Sequence, residues 1–427
     1  MLEESAVTPM TAAEKAAMAS ASAGPEVTCC IVGAGPAGLM LGLLLARQGL
    51  SVLVLEAHGD FDRDFRGDTV HPSVLEIIDQ LGLSEGLLAL PHSRVQQFGL
   101  QTEAGWLELT DFRLLSTRYP YIMLVPQVEF LTFLAWEAQR WPTFHLEMGA
   151  RVEGLLEQEG RIVGVRYRTR EGWREARALL TVAADGRFSR VRHLAGLEPV
   201  KTSPPIDVLW FRLPRQPGDQ LASGGRFLHG RALVVLERGS YYQLGYLIPK
   251  GGYQQIRQAG LAALRRELAI LLPKELATRL ETLQGWNQIA VLSVESSYLK
   301  RWYRPGLLLI GDAAHVMSPV AGVGINYAIQ DAVVAANLLS ASLRRGVLDE
   351  RELARVQRAR LWPTRLMQLV QEQMQRRLIA ASLTKEGEQF RLPRWFRWLV
   401  RRRLVRLLLA HFIGLGVPRV RVKVAGS

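Results

Sequence analysis

Residues 28–56, TCCIVGAGPAGLMLGLLLARQGLSVLVLE, constrain the fold more than any other stretch of the chain. The apolar run 29–32 predicts a strand buried on both faces. Gly33-Ala34-Gly35-Pro36-Ala37-Gly38 predicts a tight turn, and residues 39–48 a helix ended by Gly49. Residues 51–55 predict a second buried strand, with Glu56 at its end. Gly33 lets the chain turn out of the first strand, Gly35 lets a pyrophosphate approach the backbone, and Gly38 lets the helix pack on the sheet. The helix N-terminus offers free N–H groups and the positive end of its dipole. A glycine turn alone is a weak signal. Strand, turn, helix, strand and terminal acid in that order predict a dinucleotide site, with Glu56 accepting from a ribose. An acid there disfavours a 2′-phosphate, which leaves NAD or FAD.

The 427 residues, 48% of them apolar, suffice for two domains or for one domain carrying a large insertion. Cys29 and Cys30 are the only cysteines, and they are adjacent in a predicted buried strand. That excludes a disulfide framework, disfavours any metal site built on thiolates, and points to a reducing compartment such as the cytoplasm. Residues 1–26 lack the basic start and apolar core of a signal peptide and read as a disordered tail, with Met10 and Met18 as alternative starts. No run of about 18 uncharged apolar residues predicts a spanning helix. The net charge of +13 is concentrated: residues 391–427 carry ten Arg and Lys and no acid. The near balance elsewhere argues against a nucleic-acid partner.

Further along, a loop is expected over 68–72, then a helix capped by Ser73 with Val74, Ile77, Ile78 and Leu81 on one face. A hairpin is expected around Glu103-Ala104-Gly105, a helix over 127–138, and a three-strand meander over 145–182 that leads to Asp185. Strand patterns recur over 207–213, 233–237 and 241–248. A helix over 254–272, a strand over 289–297 and a last buried strand over 307–310 follow. From Ala328 to Met374 the period is helical. This order predicts an α/β fold. A Rossmann-like nucleotide domain (27–93, 119–204 and 300–345) is interrupted by an inserted β-sheet substrate domain (94–118 and 205–299). A C-terminal helical, basic region (346–427) closes the chain.

Three separated motifs line up. The first is GAGPAG at 33–38 with Glu56, and the second is Ala184-Asp185-Gly186-Arg187-Phe188-Ser189-Arg190-Val191-Arg192. The third is Gly311-Asp312-Ala313-Ala314-His315, continuing to Pro319, Gly322, Gly324, Asn326 and Asp331. In this order they resemble the single-component flavoprotein monooxygenases of the para-hydroxybenzoate hydroxylase type, which include ubiquinone-pathway hydroxylases. The resemblance implies a Rossmann-like FAD-binding domain and a β-sheet substrate domain. It implies FAD as resident cofactor, NADH or NADPH as transient reductant, and O2 as co-substrate. It also implies FAD contacts from Gly33, Gly35, Pro36, Ala37, Gly38, Glu56, Asp185, Gly186, Asp312, Pro319, Gly322, Gly324, Ile325 and Asn326. Arg66 and Gln127 match cofactor-contact positions of relatives. Asp312 would bond the ribityl chain. Residues 319–326 would open a helix toward the flavin pyrimidine ring, where a reduced flavin carries negative charge. Taken singly, Asp185-Gly186 reads as well as an ordinary turn, His315 as a cap or core histidine, and Arg187 and Arg192 as surface charges. The ordered combination carries the reading.

No Ser-His-Asp, Cys-His or metal-ligand set is evident, so the chemistry falls to the flavin. The resemblance implies a flavin C4a-hydroperoxide that transfers one oxygen atom to an electron-rich substrate, typically a phenol, in a cavity that excludes water. That cavity should lie between the inserted sheet and the flavin. Strand alternation puts Val208, Trp210 and Arg212 on one face, and Leu209, Phe211 and Leu213 on the other. Arg212, His229, Tyr241, Tyr242 and Tyr246 are the polar candidates for substrate binding or phenol deprotonation, although aromatic packing in a sheet is the simpler account of any one of them. The apolar, aromatic insertion favours a bulky lipophilic or polycyclic substrate over a small acid. A related flavoenzyme of non-hydroxylating chemistry (oxidative tailoring, halogenation or prenyl-chain reduction) is the alternative. Trp210-Phe211-Arg212-Leu213-Pro214 lacks the Trp-x-Trp-x-Ile-Pro pattern of halogenases. Residues 391–415 are basic and amphipathic, with Trp395, Phe396 and Trp398. They suit a peripheral helix on an anionic membrane surface, and also a helix pair packed on the FAD domain with solvated arginines.

Overall fold

The computed structural model describes residues 22–62, 68–202, 204–376 and 393–423. Its first sheet is built on parallel strands in the order Leu307–Leu309, Gly172–Ala183, Ser22–Val32, Val52–Glu56 and Phe144–Met148. The central strand alternates between two cores. Cys29 and Ile31 pack with the helices on one face, Cys30 and Val32 with the apolar cluster on the other. Both faces are therefore covered, which is why the run carries no polar residue. The Pro36–Ala46 helix is buried nearly all round, between the sheet, Gln127–Gln139 and Gly324–Arg344. A helix without a polar face needs such cover.

Several boundaries differ from the sequence pattern, mostly at backbone positions that only glycine adopts easily. The first strand starts at Ser22, so residues 22–26 belong to the sheet and not to a tail; residues 1–21 lie outside the described residues. A register shift between Ala23 and Glu26 brings Gly24 against the Glu175 carbonyl, where a Cβ would have no room. The first strand of the expected meander over 145–182 is two strands, Phe144–Met148 and Arg151–Gln158, broken at Gly149 with φ +71°. Likewise Gly260 divides Tyr253–Ala259 from Leu261–Leu271, and Gly346 lies between Gly324–Arg344 and Glu350–Met374. The helix after the first crossover is Pro72–Gln80, with Pro72 in its first turn and His71 at the cap position; Ser73 is not the cap. Proline's fixed φ suits a first helical turn.

The second sheet runs Ala290–Ser293, Ile206–Pro214, Tyr241–Pro249, Arg231–Glu237, Gly224–Leu228, Gln97–Thr102 and Gly105–Asp111. The segments 94–118 and 205–299 thus contribute to one sheet. The chain passes between the two sheets through short pairings, Ser93–Val95 with Ile122–Leu124 and Pro199–Thr202 with Ser296–Leu299. The expected strand over 289–297 is split between the second sheet and the second of these pairings. Leu209, Phe211, Leu213, Tyr242, Leu244 and Tyr246 face the helix Leu261–Leu271. The opposite face carries Val208, Ala232 and Leu247 and meets the C-terminal helices Arg394–Val400 and Arg403–Gly414 through Val400, Phe396 and Leu409. Ala410 and Leu415 pack on Phe112 and Leu115. The last described residues strap the helices beside the first sheet: Arg419 pairs with Glu76, the Val422 N–H donates to Gln80, and the Lys423 N–H donates to Asn337.

Candidate active site

A groove of about 1470 Å³ lies outside the carboxyl ends of the parallel strands. Ligands of open α/β sheets bind at this edge, where loops leave strand ends side by side. Gly33, Gly35, Pro36, Ala37 and Glu56 line it, as do Gln127, Asp185, Gly186, Asp312, Pro319, Gly322, Gly324 and Ile325. The three motifs of the sequence therefore meet in one space.

The glycine turn shows why its residues are small. Gly33 has φ +100°, and a Cβ there would sit 2.5 Å from the Ala184 carbonyl oxygen. A Cβ on Gly38 would sit 1.9 Å from the Gly33 oxygen, so the helix rests directly on the turn. Gly38 itself is buried behind the groove wall. Gly35, in contrast, opens toward the groove, the nearest atom to its Cβ position being 4.0 Å away. No side chain caps the Pro36–Ala46 helix, whose N-terminus faces the same space. Glu56 is buried and accepts from the Ala34 N–H at 2.9 Å, and from the His58 N–H and Nδ1 at 3.0 and 2.8 Å. It holds the turn's shape as well as lining the groove.

Asp185 accepts from Ser189 Oγ at 2.5 Å and from the Val191 N–H at 3.0 Å. Burial pushes its carboxyl above the usual range against those two donors. Arg192 ties this motif to the next, donating to the Arg187 carbonyl at 2.8 Å and the Ala313 carbonyl at 3.0 Å. Behind Asp312 lies a buried ionic knot. Asp331 accepts from His315 Nε2 at 2.6 Å, Arg360 Nε at 2.7 Å and the Gly311 N–H at 3.0 Å. Burial alone would raise the Asp331 carboxyl, but His315 and Arg360 outweigh it and hold it below the usual value. Trp302 lies against the His315 ring and Tyr327 under the Arg360 guanidinium. His315 is thus a core residue that fixes the Gly311-Asp312 turn.

Val320–Gly322 forms a single tight turn before the Gly324–Arg344 helix, which also starts without a side-chain cap. Thr69 Oγ1 donates to the Gly322 carbonyl at 2.6 Å. Asn326 does not line the groove. It is buried, accepts from the His71 N–H at 2.8 Å, and donates to the Gly322 carbonyl at 3.4 Å. Two uncapped helix N-termini, an open glycine cradle and a buried acid at a strand end suit a long dinucleotide with phosphates at its middle.

The family described as FAD binding domain matches residues 26–366. The chain belongs to that family. The 6-methylpretetramide 4-monooxygenase of Streptomyces rimosus is 34% identical over 360 residues, which is 84% of this chain and 86% of that protein. The 3-demethoxyubiquinol 3-hydroxylase of Escherichia coli is 24% identical over 312 residues, 70% of this chain and 76% of that one. The solved OxyS anhydrotetracycline hydroxylase from Streptomyces rimosus superposes with a TM-score of 0.72 at 24% identity, covering 94% of this chain and 78% of its own, and shares the fold. The protein is an FAD-dependent oxidoreductase of the monooxygenase class.

Within this FAD-family fold the substrate candidates separate. Tyr246 lies on the helix-covered face, opposite Leu209 in the ladder, and its hydroxyl donates to Glu267 at 2.8 Å. Burial raises its pKa. His229 is exposed in the turn after Gly224–Leu228, with φ +50° and its N–H donating to Glu103. Neither reaches the groove, because strand alternation and the hairpin turn point them elsewhere. Tyr241 and Arg212 stack on each other at 4.9 Å and also lie off the groove wall. Arg66 lies outside the described residues. Among the lining residues that sequence reasoning passed over are Asp68, Leu236, Arg238, Gln243, Leu292 and Met317. Arg238 reads in sequence as a polar residue of the Glu237-Arg238-Gly239-Ser240 turn; nothing local signals that it turns inward.

Proposed function

We propose that the protein hydroxylates a planar, polycyclic phenol, drawing electrons from NADH or NADPH and oxygen from O2. The observation that carries this reading is the wall of the groove formed by the substrate sheet. Trp210, Leu236 and Leu292 line the groove from that sheet, Val294 from the residue after its edge strand, and Met317 from the turn before Val320–Gly322. The Trp210 indole lies over Gly245, whose missing side chain leaves room for it: a Cβ would come within 2.9 Å of the ring. An indole face set among apolar side chains suits flat aromatic rings and keeps water away. The 34% identity to a protein named for 6-methylpretetramide supports a similar substrate.

In this reading Gly35, the adjoining helix N-terminus and Glu56 hold the AMP half of FAD. Asp185 and Asp312 flank its middle, and the turn at 319–324 meets the flavin ring. When bound, FAD supplies the redox and oxygen-transfer chemistry. The protein's own groups bind, orient and exclude water. Purified protein loaded with FAD and given NAD(P)H and ¹⁸O2 should convert a member of a polycyclic phenol panel to a product heavier by one labelled oxygen atom. NAD(P)H oxidation stimulated by such a phenol without label in any product would replace hydroxylation with another oxidative reaction.

The C-terminal pair carries a second reading, a peripheral contact with an anionic lipid surface. Its inner face packs on the substrate sheet. Its outer face leaves Trp395 66% and Leu404 65% exposed, with Trp398 and Leu408 similarly bare, among exposed Arg394, Arg401, Arg402 and Arg403. Tryptophan with arginine on one surface suits a headgroup layer. No helix among the described residues is long and apolar enough to cross a membrane. The full chain should float with phosphatidylglycerol vesicles and not with phosphatidylcholine alone, and Trp395→Ser with Trp398→Ser should weaken that. Failure to float at low salt, or self-association through this face, would remove the reading.

A further inference from the structure

The helix Glu350–Met374 buries a polar stripe among its apolar residues. Gln357, Arg360, Thr364, Gln368 and Gln371, with Gln375 just past the helix end, follow one another three or four positions apart, and none is more than 9% exposed. Such a row on a covered face is unusual, because a helix ordinarily turns apolar residues toward its cover. Arg360 is accounted for by Asp331, and Gln357 by the Trp302 N–H and the Lys300 carbonyl. Gln371 and Gln375 reach a different place, the turn beside the proposed flavin ring. Gln371 Nε2 donates to the Ser318 carbonyl at 2.9 Å and to the Val320 carbonyl at 2.6 Å. Gln375 Nε2 donates to Ser318 Oγ, which accepts from the Val320 N–H at 3.2 Å. Gln371 Oε1 is buried with no partner among the described residues. Burying an amide oxygen unpaired costs stability, so what this position uses is the NH2 group.

The turn needs such a hold. Ala321 has φ +66° and Gly322 φ +61°, two left-handed residues in succession. A residue with a Cβ is strained there and persists only where its surroundings over-determine it. Thr69, which lines the groove, fixes the Gly322 carbonyl, while Gln371, behind the groove wall, fixes the Val320 carbonyl. In a planar trans peptide the N–H lies opposite the preceding carbonyl. With the Val320 carbonyl drawn to Gln371, the Ala321 N–H points away from that helix. Pro319 and Gly322, before and after it in the turn, line the groove.

We infer that Gln371, seconded by Gln375, is a positioning residue that sets the reduction potential of the bound flavin, by holding the 318–322 turn with its N–H groups toward the ring. The inference rests on the placement of the flavin ring at this turn in the proposed function, and adds the residues that fix it. N–H groups and a helix N-terminus favour the negative charge of a reduced flavin over the neutral oxidised ring. A slack turn gives up part of that preference, so the reduced form is held less well and the potential falls.

The test measures the midpoint potential of the FAD-loaded full chain, against a redox dye of known potential, in wild type, Gln371→Met, Gln375→Met and Gln357→Met. Gln357 is the control. It bonds backbone groups from the same helix, about 21 Å from Gln371 along the axis at 1.5 Å per residue. Gln371→Met should weaken binding of reduced relative to oxidised flavin about tenfold, which lowers the potential of a two-electron couple by about 30 mV. Gln375→Met should lower it by less, and it decides the matter if Gln371→Met does not fold. Gln357→Met should lose urea stability and keep the wild-type potential. Wild-type potentials in the folded Gln371 and Gln375 variants, or an equal fall in Gln357→Met, overturn the inference. A wild type that takes up no FAD would instead sink the functional reading beneath it. A wild type that loads FAD and oxygenates no phenol, while the variants shift as described, would sink the substrate reading alone.

Discussion

Replacing Gly322 by alanine probes the turn beside the proposed flavin ring. Gly322 has φ +61°, and a Cβ there would stand 2.6 Å from Thr69 Oγ1 and 3.1 Å from its Cγ2. Two separate penalties follow. The left-handed backbone adds about 1–2 kcal/mol for any residue with a Cβ. The overlap forces Thr69 to rotate, which breaks its bond to the Gly322 carbonyl at about 1 kcal/mol and leaves some residual strain. Gly322→Ala should therefore lose about 2–4 kcal/mol, and Thr69→Ala alone about 1 kcal/mol. Thr69→Ala also removes Oγ1 and Cγ2, leaving only the Thr69 Cβ at 3.2 Å from the new methyl. The double variant should then be no worse than Gly322→Ala, which makes the two changes strongly non-additive. Urea unfolding gives the stabilities, and flavin fluorescence on dilution gives FAD affinity, expected to fall tenfold or more for Gly322→Ala, about 1.4 kcal/mol. Strict additivity would mean the two side chains do not meet, and the account of this turn would be wrong.

Asp331→Asn should destabilise the fold by about 3–5 kcal/mol, since it leaves the buried Arg360 without its anion. It should also loosen FAD, because one amide oxygen cannot serve Gly311, His315 and Arg360 together and the turn before Asp312 loses part of its anchor; a wild-type urea midpoint would contradict this. Asp219 shows the pH dependence of a surface pair. Its hydrogen bond to Arg279 lowers its carboxyl from 3.8 to about 2. Its contribution is complete above its unfolded pKa and is lost as pH falls through the folded one. The gap in melting temperature between wild type and Asp219→Asn should therefore hold from neutral pH down to about 4 and close toward 2. A gap that persists unchanged at the acid end would refute the assignment.

The glycine turn was legible because its requirements are local. A left-handed turn, a close helix contact and an acid at a strand end each need a particular residue at a particular offset, and Gly33, Gly38 and Glu56 declare themselves. Element boundaries were less legible, because Gly149, Gly260 and Gly346 interrupt patterns that look continuous in apolar periodicity. The groove wall supplied by the second sheet was least legible. Which side of a strand faces the groove depends on what covers the other side, and strand period alone does not announce that the helix Leu261–Leu271 covers Tyr246. Arg238 and Asp68 are 170 positions apart. Their pairing is a product of tertiary closure, invisible to any window of sequence. His315 illustrates the converse: its motif position was legible, but its partners Asp331 and Arg360 reveal a keystone of the core.

The carboxyl-terminal strap has a practical corollary. Arg419 grips the Pro72–Gln80 helix and Lys423 the Gly324–Arg344 helix, while Ile413 accepts from His71 between them. One short segment thus splints the Pro72–Gln80 and Gly324–Arg344 helices to the outer wall of the second sheet. Cutting the polypeptide after residue 415 would spare every groove-lining atom and still unbrace the cavity, so a shortened protein that stays folded but releases its cofactor is the phenotype such a splint dictates.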